Sequence, residues 1–270
     1  MIKDISIGQY VPGDSFIHKL DPRIKIILSI VYIINLFLVN NFKGYIFVVV
    51  FTAVMIMISK VPFKYIYKGL KPIFILLLIT ALLNIFMTGG GVGEIPLWRW
   101  KFLKIYKQGL ILAAFMIIRL VFLIVGTSLL TLTTSPIELT DGIEKLLNPF
   151  KKIGLPAHEL AMMMTIALRF IPTLMDETDK IMKAQMARGA DFESGNLFSR
   201  AKNLIPLLVP LFISSFRRAD ELAMAMEARC YRGGEGRTRM KILKLENRDL
   251  IATIIMLILV VISIWSRRFA

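Results

Sequence analysis

Two near-copies of a short arginine motif stand 41 positions apart: Ala184-Gln185-Met186-Ala187-Arg188-Gly189 and Ala225-Met226-Glu227-Ala228-Arg229-Cys230. Each closes a helix-like stretch, so each guanidinium is expected at a helix C-terminus. The macrodipole is negative there and favours a cation by about 0.3–1 kcal/mol. Arginine presents a planar fork of donors that pairs bidentately with a carboxylate. The small residues Ala187, Gly189, Ala228 and Cys230 beside each fork let a helix end sink into a groove. A lone Ala-Arg-Gly would be an ordinary solvated helix end. Two copies point to docking into two similar sockets, and away from catalysis.

Other chemistries find less support. The chain has no G-x-x-x-x-G-K-[ST] run, so it holds no Walker-type loop for ATP, and it has neither H-E-x-x-H nor G-x-S-x-G. Gly89-Gly90-Gly91-Val92-Gly93 and Gly233-Gly234-Glu235-Gly236 lack the strand-to-helix setting of a phosphate cradle and are expected to be loops. One cysteine excludes a disulfide framework, and His18 and His158 are too far apart in sequence for an obvious metal cluster. No cofactor is expected. Arg119 is the one charge inside a long apolar stretch, costing at least about 2.5–3.5 kcal/mol on insertion scales. Pairing with a polar group on a neighbouring helix, such as Asn84, would order the bundle without transport chemistry. Methionines along residues 162–186 and 224–226 suit a shifting helix surface and suit a plain core equally.

The elements that carry these motifs follow from composition. Of 270 residues 56% are hydrophobic, above the roughly 45–50% of globular chains, and the mean hydropathy is +0.66. Charge-free stretches cover Ile26–Phe42, Gly44–Ser59, Pro72–Gly93 and Leu250–Ser266, and Gln108–Ile137 is broken only by Arg119. A helix needs about 20 apolar residues to cross a bilayer. The expected fold is therefore an all-α polytopic membrane protein with about five transmembrane helices and three amphipathic helices. Residues 1–131 read as a four-span region, 132–249 as a cytoplasmic helical region and 250–270 as a closing span. Residues 1–23 mix acids, bases, Pro12 and Gly13, unlike a secretory leader.

The formal charge of +15 suits basic loops on the anionic cytoplasmic face better than nucleic acid, since no aromatic-basic recognition module accompanies it. Lys/Arg clusters before the first span, between the second and third, and before the last place the N-terminus inside and the C-terminus outside. Arg99, Lys101, Lys104 and Lys107 run against that rule, although Trp98, Trp100 and Tyr106 suit an interfacial belt. Within the insert, Ser135-Pro136-Ile137-Glu138 is a capping-box start for a helix ending near Asn148-Pro149. A second helix is expected from Pro156 to Arg188 with Gly189 as its left-handed stop. A third is expected from Ser199 to Arg229. Pro172, Pro206 and Pro210 are expected to kink them.

These features resemble the transmembrane (T) component of energy-coupling factor transporters, the family that includes cobalt- and nickel-uptake permease subunits. The similarity covers essentially the whole chain. It rests on Ile7-Gly8-Gln9-Tyr10-Val11-Pro12-Gly13-Asp14-Ser15, His18-Lys19-Leu20-Asp21-Pro22-Arg23, Thr133-Thr134-Ser135-Pro136, Ala187-Arg188-Gly189 and Ala219-Asp220-Glu221-Leu222 leading into Ala225-Met226-Glu227-Ala228-Arg229. The resemblance implies a multi-pass plasma-membrane subunit, itself not an enzyme, whose arginine-tipped coupling helices dock into two cytoplasmic ABC-type ATPases. It also implies a small membrane S component that binds a vitamin or metal ion. Cys230 departs from the family's glycine and bears on the geometry of the second tip. Two rival readings are a membrane scaffold that recruits cytoplasmic proteins without powering transport, and a secondary carrier. The carrier is disfavoured because the spans hold no carboxylates.

Overall fold

Asp21 opens the first helix: its carboxylate accepts the Arg23 N–H at 2.9 Å, and Pro22 fills the first turn, where no N–H is needed. The computed structural model describes residues 10–88, 98–100, 103–192, 196, 198, 202–233 and 243–267. Outside these residues lie Ile7-Gly8-Gln9, the glycines at 89–93 and 234–236, the expected helix start at Ser199, and the basic residues Lys3, Lys101, Arg237, Arg239, Lys241 and Arg268.

Helix α1 (Pro22–Leu38) is followed by α2 (Phe42–Ser59) and α3 (Phe63–Leu70). A 3₁₀ turn at Lys71–Ile73 joins α3 to α4 (Phe74–Met87), because Pro72 leaves no N–H for regular helix pairing there. Strands β1 (Trp98–Trp100) and β2 (Leu103–Ile105) form a short antiparallel hairpin, with Trp98 opposite Ile105 and Trp100 opposite Leu103. The sequence gives this segment only as a loop. Helix α5 (Lys107–Thr133) and α6 (Pro136–Leu147) follow, then a 3₁₀ segment, Asn148–Ile153. The chain continues through α7 (Ala157–Ala187), α8 (Ile205–Ala228) and α9 (Asn247–Ser266). The protein is all-α in class, the hairpin aside.

Among the described residues, four helical stretches are long and apolar enough to cross a membrane: Phe42–Ser59, Phe63–Met87, Lys107–Thr133 and Asn247–Ser266. The first of the five expected spans, α1, has 17 residues and rises about 25 Å. It covers the same interval as α9. At one end the Asp21 N–H donates to Asp249 Oδ1 at 2.8 Å, and at the other Asn41 Nδ2 donates to the Ser266 carbonyl at 3.1 Å. The two helices therefore run parallel, as an odd number of crossings requires.

Two compact units form, Gly8–Gly142 with Leu243–Ala270, and Ile143–Ile242. In the first, α1, α2 and α9 meet through Tyr32, Leu36, Val39, Tyr45, Val48, Met256 and Leu259. Val61 and Ile66 pack against Val125, Leu129 and Leu132 of α5. Helices approach closely where a side chain is missing. A Cβ on Gly44 would lie 2.8 Å from Ser266 Oγ, and one on Gly126 would lie 2.4 Å from the Tyr32 ring. The opposite faces stay apolar and exposed, as at Phe74, Ile75, Met87, Leu257 and Val261, which suits contact with lipid.

In the second unit α7 and α8 pack on each other. The capping serine of α6, which belongs to the first unit, is in place, with Ser135 Oγ accepting the Glu138 N–H at 3.2 Å. Helices α6 and α7 lie where the sequence places them. Pro172 and Pro210 sit inside α7 and α8, but Pro206 falls in the first turn of α8. It therefore opens that helix and breaks no hydrogen bond, contrary to the expected kink.

Candidate docking site

The two arginine motifs end their helices with the same backbone. Arg188 has φ −88° and ψ 6°, and Arg229 has φ −91° and ψ 12°. The next residue is left-handed in each case, Gly189 at φ 88° and Cys230 at φ 53°. Hydrogen bonds repeat with the same 41-residue offset. Gly189 N–H reaches the Met186 carbonyl and Ala190 N–H the Gln185 carbonyl, both at 3.0 Å. Cys230 N–H reaches the Glu227 carbonyl at 2.8 Å, and Tyr231 N–H the Met226 carbonyl at 3.0 Å. This crossed pair of bonds is the Schellman cap, which uses up helix-end carbonyls within the chain itself.

The departure of Cys230 from glycine therefore leaves the cap intact. A residue with a Cβ pays about 1–2 kcal/mol in the left-handed region, so the fold holds Cys230 there against its own preference. Arg188 and Arg229 are exposed, as are Ala187, Gly189, Ala228 and Cys230. With the terminal carbonyls taken, each tip presents a free guanidinium flanked by small side chains, a shape suited to carboxylates in a groove. The tips differ in one respect. Beside Arg229 lies an open groove of about 450 Å³ whose walls include Met162 and Ile166 of α7 and Leu222, Met226 and Tyr231.

Upstream of the tips, Glu177 of α7 takes two partners from α8. Ser214 Oγ donates to Glu177 Oε1, and Arg218 Nη2 donates to Glu177 Oε2 at 2.7 Å. Sequence reasoning missed this cluster. Its signal was available, because Glu177 and Arg218 are also 41 positions apart.

Arg119 is not paired with Asn84, whose side-chain amide donates to Thr80 of its own helix at 2.8 Å. Its Nε donates to Tyr45 Oη at 3.1 Å, while Nη2 reaches the Val39 carbonyl at 3.3 Å and Asn40 Oδ1 at 3.4 Å. The guanidinium also lies 5.3 Å from the Phe37 ring centre. It thus fastens the α1–α2 turn, where free carbonyls need donors. Asn84 lies instead beside Gly109, ten residues away along α5, where its carbonyl would be 3.1 Å from an added Cβ.

The opening motif is bound up in the membrane unit. His18 joins Ser15 Oγ at 2.7 Å to the Val11 carbonyl at 2.9 Å, and the Val11 N–H donates to the Leu132 carbonyl at 3.0 Å. Buried Lys25 donates to the carbonyls of His18 and Thr133, each at 3.0 Å, and to Thr134 Oγ1 at 3.2 Å. Asp21 meets Arg23 through two hydrogen bonds, at 3.0 and 2.7 Å. Burial alone would raise the Asp21 pKa, but the Arg23 hydrogen bonds and the charges of Arg23 and Lys25 outweigh it and hold the carboxyl below its ordinary value. The second histidine, His158, contacts Glu144 at 3.1 Å.

Comparison with known proteins agrees with this architecture. Residues 13–241 match the model of the cobalt transport protein family, CbiQ. A Clostridium kluyveri protein named energy-coupling factor transporter transmembrane protein EcfT is 78% identical over 267 residues, covering 99% of this chain and 98% of its own. Proteins of the same name from Thermosediminibacter oceani and Bacillus subtilis are 59% and 51% identical. They match 98% and 99% of this chain over 99% and 100% of their own lengths. With spans, capped arginine tips and full-length similarity in agreement, the chain belongs to the family of energy-coupling factor transporter transmembrane proteins.

Proposed function

We propose that this chain is the non-catalytic energy-coupling subunit of an importer, joining two cytoplasmic ABC-type ATPases to a small membrane S component that binds a vitamin or metal ion. The observation that carries this reading is the pair of caps at Arg188 and Arg229 with the same hydrogen-bond pattern. A protein without a nucleotide loop needs an external motor, and two equal tips suit a motor with two equal sockets. Each guanidinium would pair with carboxylates in one ATPase, aided by the negative helix end behind it.

ATP-driven closure would then move the tips, and α7 and α8 would carry that motion toward the membrane. The exposed run Leu208, Val209, Phe212, Ile213 and Phe216 on α8 suits the S component, which would tilt and release its substrate inside. In this reading the N-terminus and both tips are cytoplasmic, and the bilayer surrounds the spans. Losing one buried Arg–carboxylate pair would cost about 2–5 kcal/mol of interface stability. The test is affinity capture of this chain with its native partners, as wild type and as Arg188→Ala/Arg229→Ala. ATPases and small membrane proteins should accompany the wild type, with ATPase recovery falling in the variant. Equal recovery and equal uptake in both would overturn the assignment, and absence of any ATPase would favour a passive scaffold.

A further inference from the structure

The 41-residue offset that relates the two tips also relates Glu177 to Arg218, which are bonded to each other. Each stands eleven residues before its arginine, Glu177 before Arg188 and Arg218 before Arg229. An ion pair between equivalent positions of two equivalent helices lies where those helices cross. From that point each arm extends about 16 Å to its tip. Ser214 adds a second bond to the other oxygen of Glu177, so the carboxylate is gripped from two successive turns of α8. The arrangement sets direction as well as distance.

Two further observations point to geometry as the role of this cluster. The Glu177 and Arg218 side chains are 21% and 34% exposed, so water still screens this part-buried pair and its contribution to stability is modest. Each helix also carries a proline just before the crossing, Pro172 five residues ahead of Glu177 and Pro210 four ahead of Ser214. A proline removes one helical hydrogen bond and makes a local point of bending. Without a clasp, the arms beyond these points would be free to splay. A change of about 10° in the crossing would alter the separation of the tips by about 3 Å, enough to put a guanidinium out of bonding range.

We infer that Glu177, gripped by Ser214 and Arg218, is the positioning residue that fixes the separation of the two arginine tips. The inference rests on the proposed docking role only for its consequence in transport; the clasp itself is a property of this chain alone.

The test uses the full chain in lipid nanodiscs with Cys230→Gly, and spin labels at Lys183→Cys and Met224→Cys, which are exposed and share the 41-residue offset. Pulsed EPR should give a narrow distance distribution. Glu177→Gln should shift or broaden it by about 1.5 Å, since the labels sit about 9 Å beyond the crossing, and the reversed pair Glu177→Arg/Arg218→Glu should restore it. An unchanged distribution in Glu177→Gln, or no recovery in the reversed pair when its thermal stability matches wild type, would overturn the inference. In the full transporter, Glu177→Gln should keep the ATPases bound but lose substrate uptake per ATP hydrolysed, with recovery in the reversed pair. Uptake unchanged by Glu177→Gln would overturn the role in coupling. If the distance shifts as expected while wild type recovers no ATPase, the docking proposal fails and the clasp stands.

Discussion

Gly126→Ala is the sharpest test of the membrane unit. The added Cβ would lie 2.4 Å from Tyr32 Cε1 and 2.7 Å from Cδ1, so the ring must move. An apolar cavity of about 120 Å³ borders the ring, but moving into it would give up the ring's present contacts. Tyr32 is 5% exposed, stacks on Phe51 with centroids 6.2 Å apart, and shares a 2.8 Å hydrogen bond with Thr52 Oγ1. Overpacking of this kind costs about 1–3 kcal/mol, and losing the hydroxyl contact adds about 0.5–1.5. The sum is about 2–4 kcal/mol, or a fall in Tm on the order of 5–15 °C at the usual 2–4 °C per kcal/mol. Thermal unfolding of the purified chain in mild detergent would measure it. In a Tyr32→Leu background the same substitution should cost less than about 1 kcal/mol, because the obstructing ring is gone. A Gly126→Ala chain that melts with wild type, or an equal penalty in both backgrounds, would refute the argued contact.

The caps make opposite predictions for equivalent positions. Cys230→Gly should stabilise the end of α8 by up to about 1 kcal/mol, and Gly189→Ala should weaken the end of α7 by about as much; hydrogen exchange at the last turn of each helix would report both. Arg119→Leu should leave the Val39 carbonyl and Tyr45 hydroxyl without their donor and lower stability by about 1–3 kcal/mol, read as a lower Tm, whereas Asn84→Ala should not reproduce that loss. Because the Asp21 pKa is held below its ordinary value, its ionised form stabilises the fold at neutral pH, and that contribution disappears as pH falls through and below about 3.8. The Tm gap between wild type and Arg23→Gln should therefore narrow from pH 6 to pH 3; a constant gap would exclude Asp21 as its source.

The insert was legible because its signals are local. A capping serine, a proline in a first turn and a glycine past a last turn each act within a few residues, and α6 and α7 lie where those signals put them. The second tip was legible by repetition, although cysteine in a left-handed position has no local signal of its own. What the sequence hid depends on distant partners. Arg119 could be singled out, but choosing Tyr45 and the α1–α2 turn over Asn84 requires knowing which turn its long side chain reaches. The clasp escaped because its halves have opposite charge, so a search for repeated residue types passes over them. The entry role of Pro206 has a local cause, since a proline fits a first turn as readily as a kink.

The bond between Asp21 and Asp249 has a consequence for how the chain is made. Synthesis runs from the N-terminus, so Asp21 emerges 228 residues before the carboxylate that receives its N–H. Asp249 also accepts the N–H of Glu246 with its other oxygen, at 2.8 Å, so a single side chain caps the last helix and ties down the first. Arg119, by contrast, meets partners at Val39, Asn40 and Tyr45 that have already been translated. The nascent bundle can therefore receive its buried charge on schedule, but it stays open along the α1 face until its final helix arrives. A ribosome that stops before residue 247 would release a chain with every other helix complete and that seam unsealed.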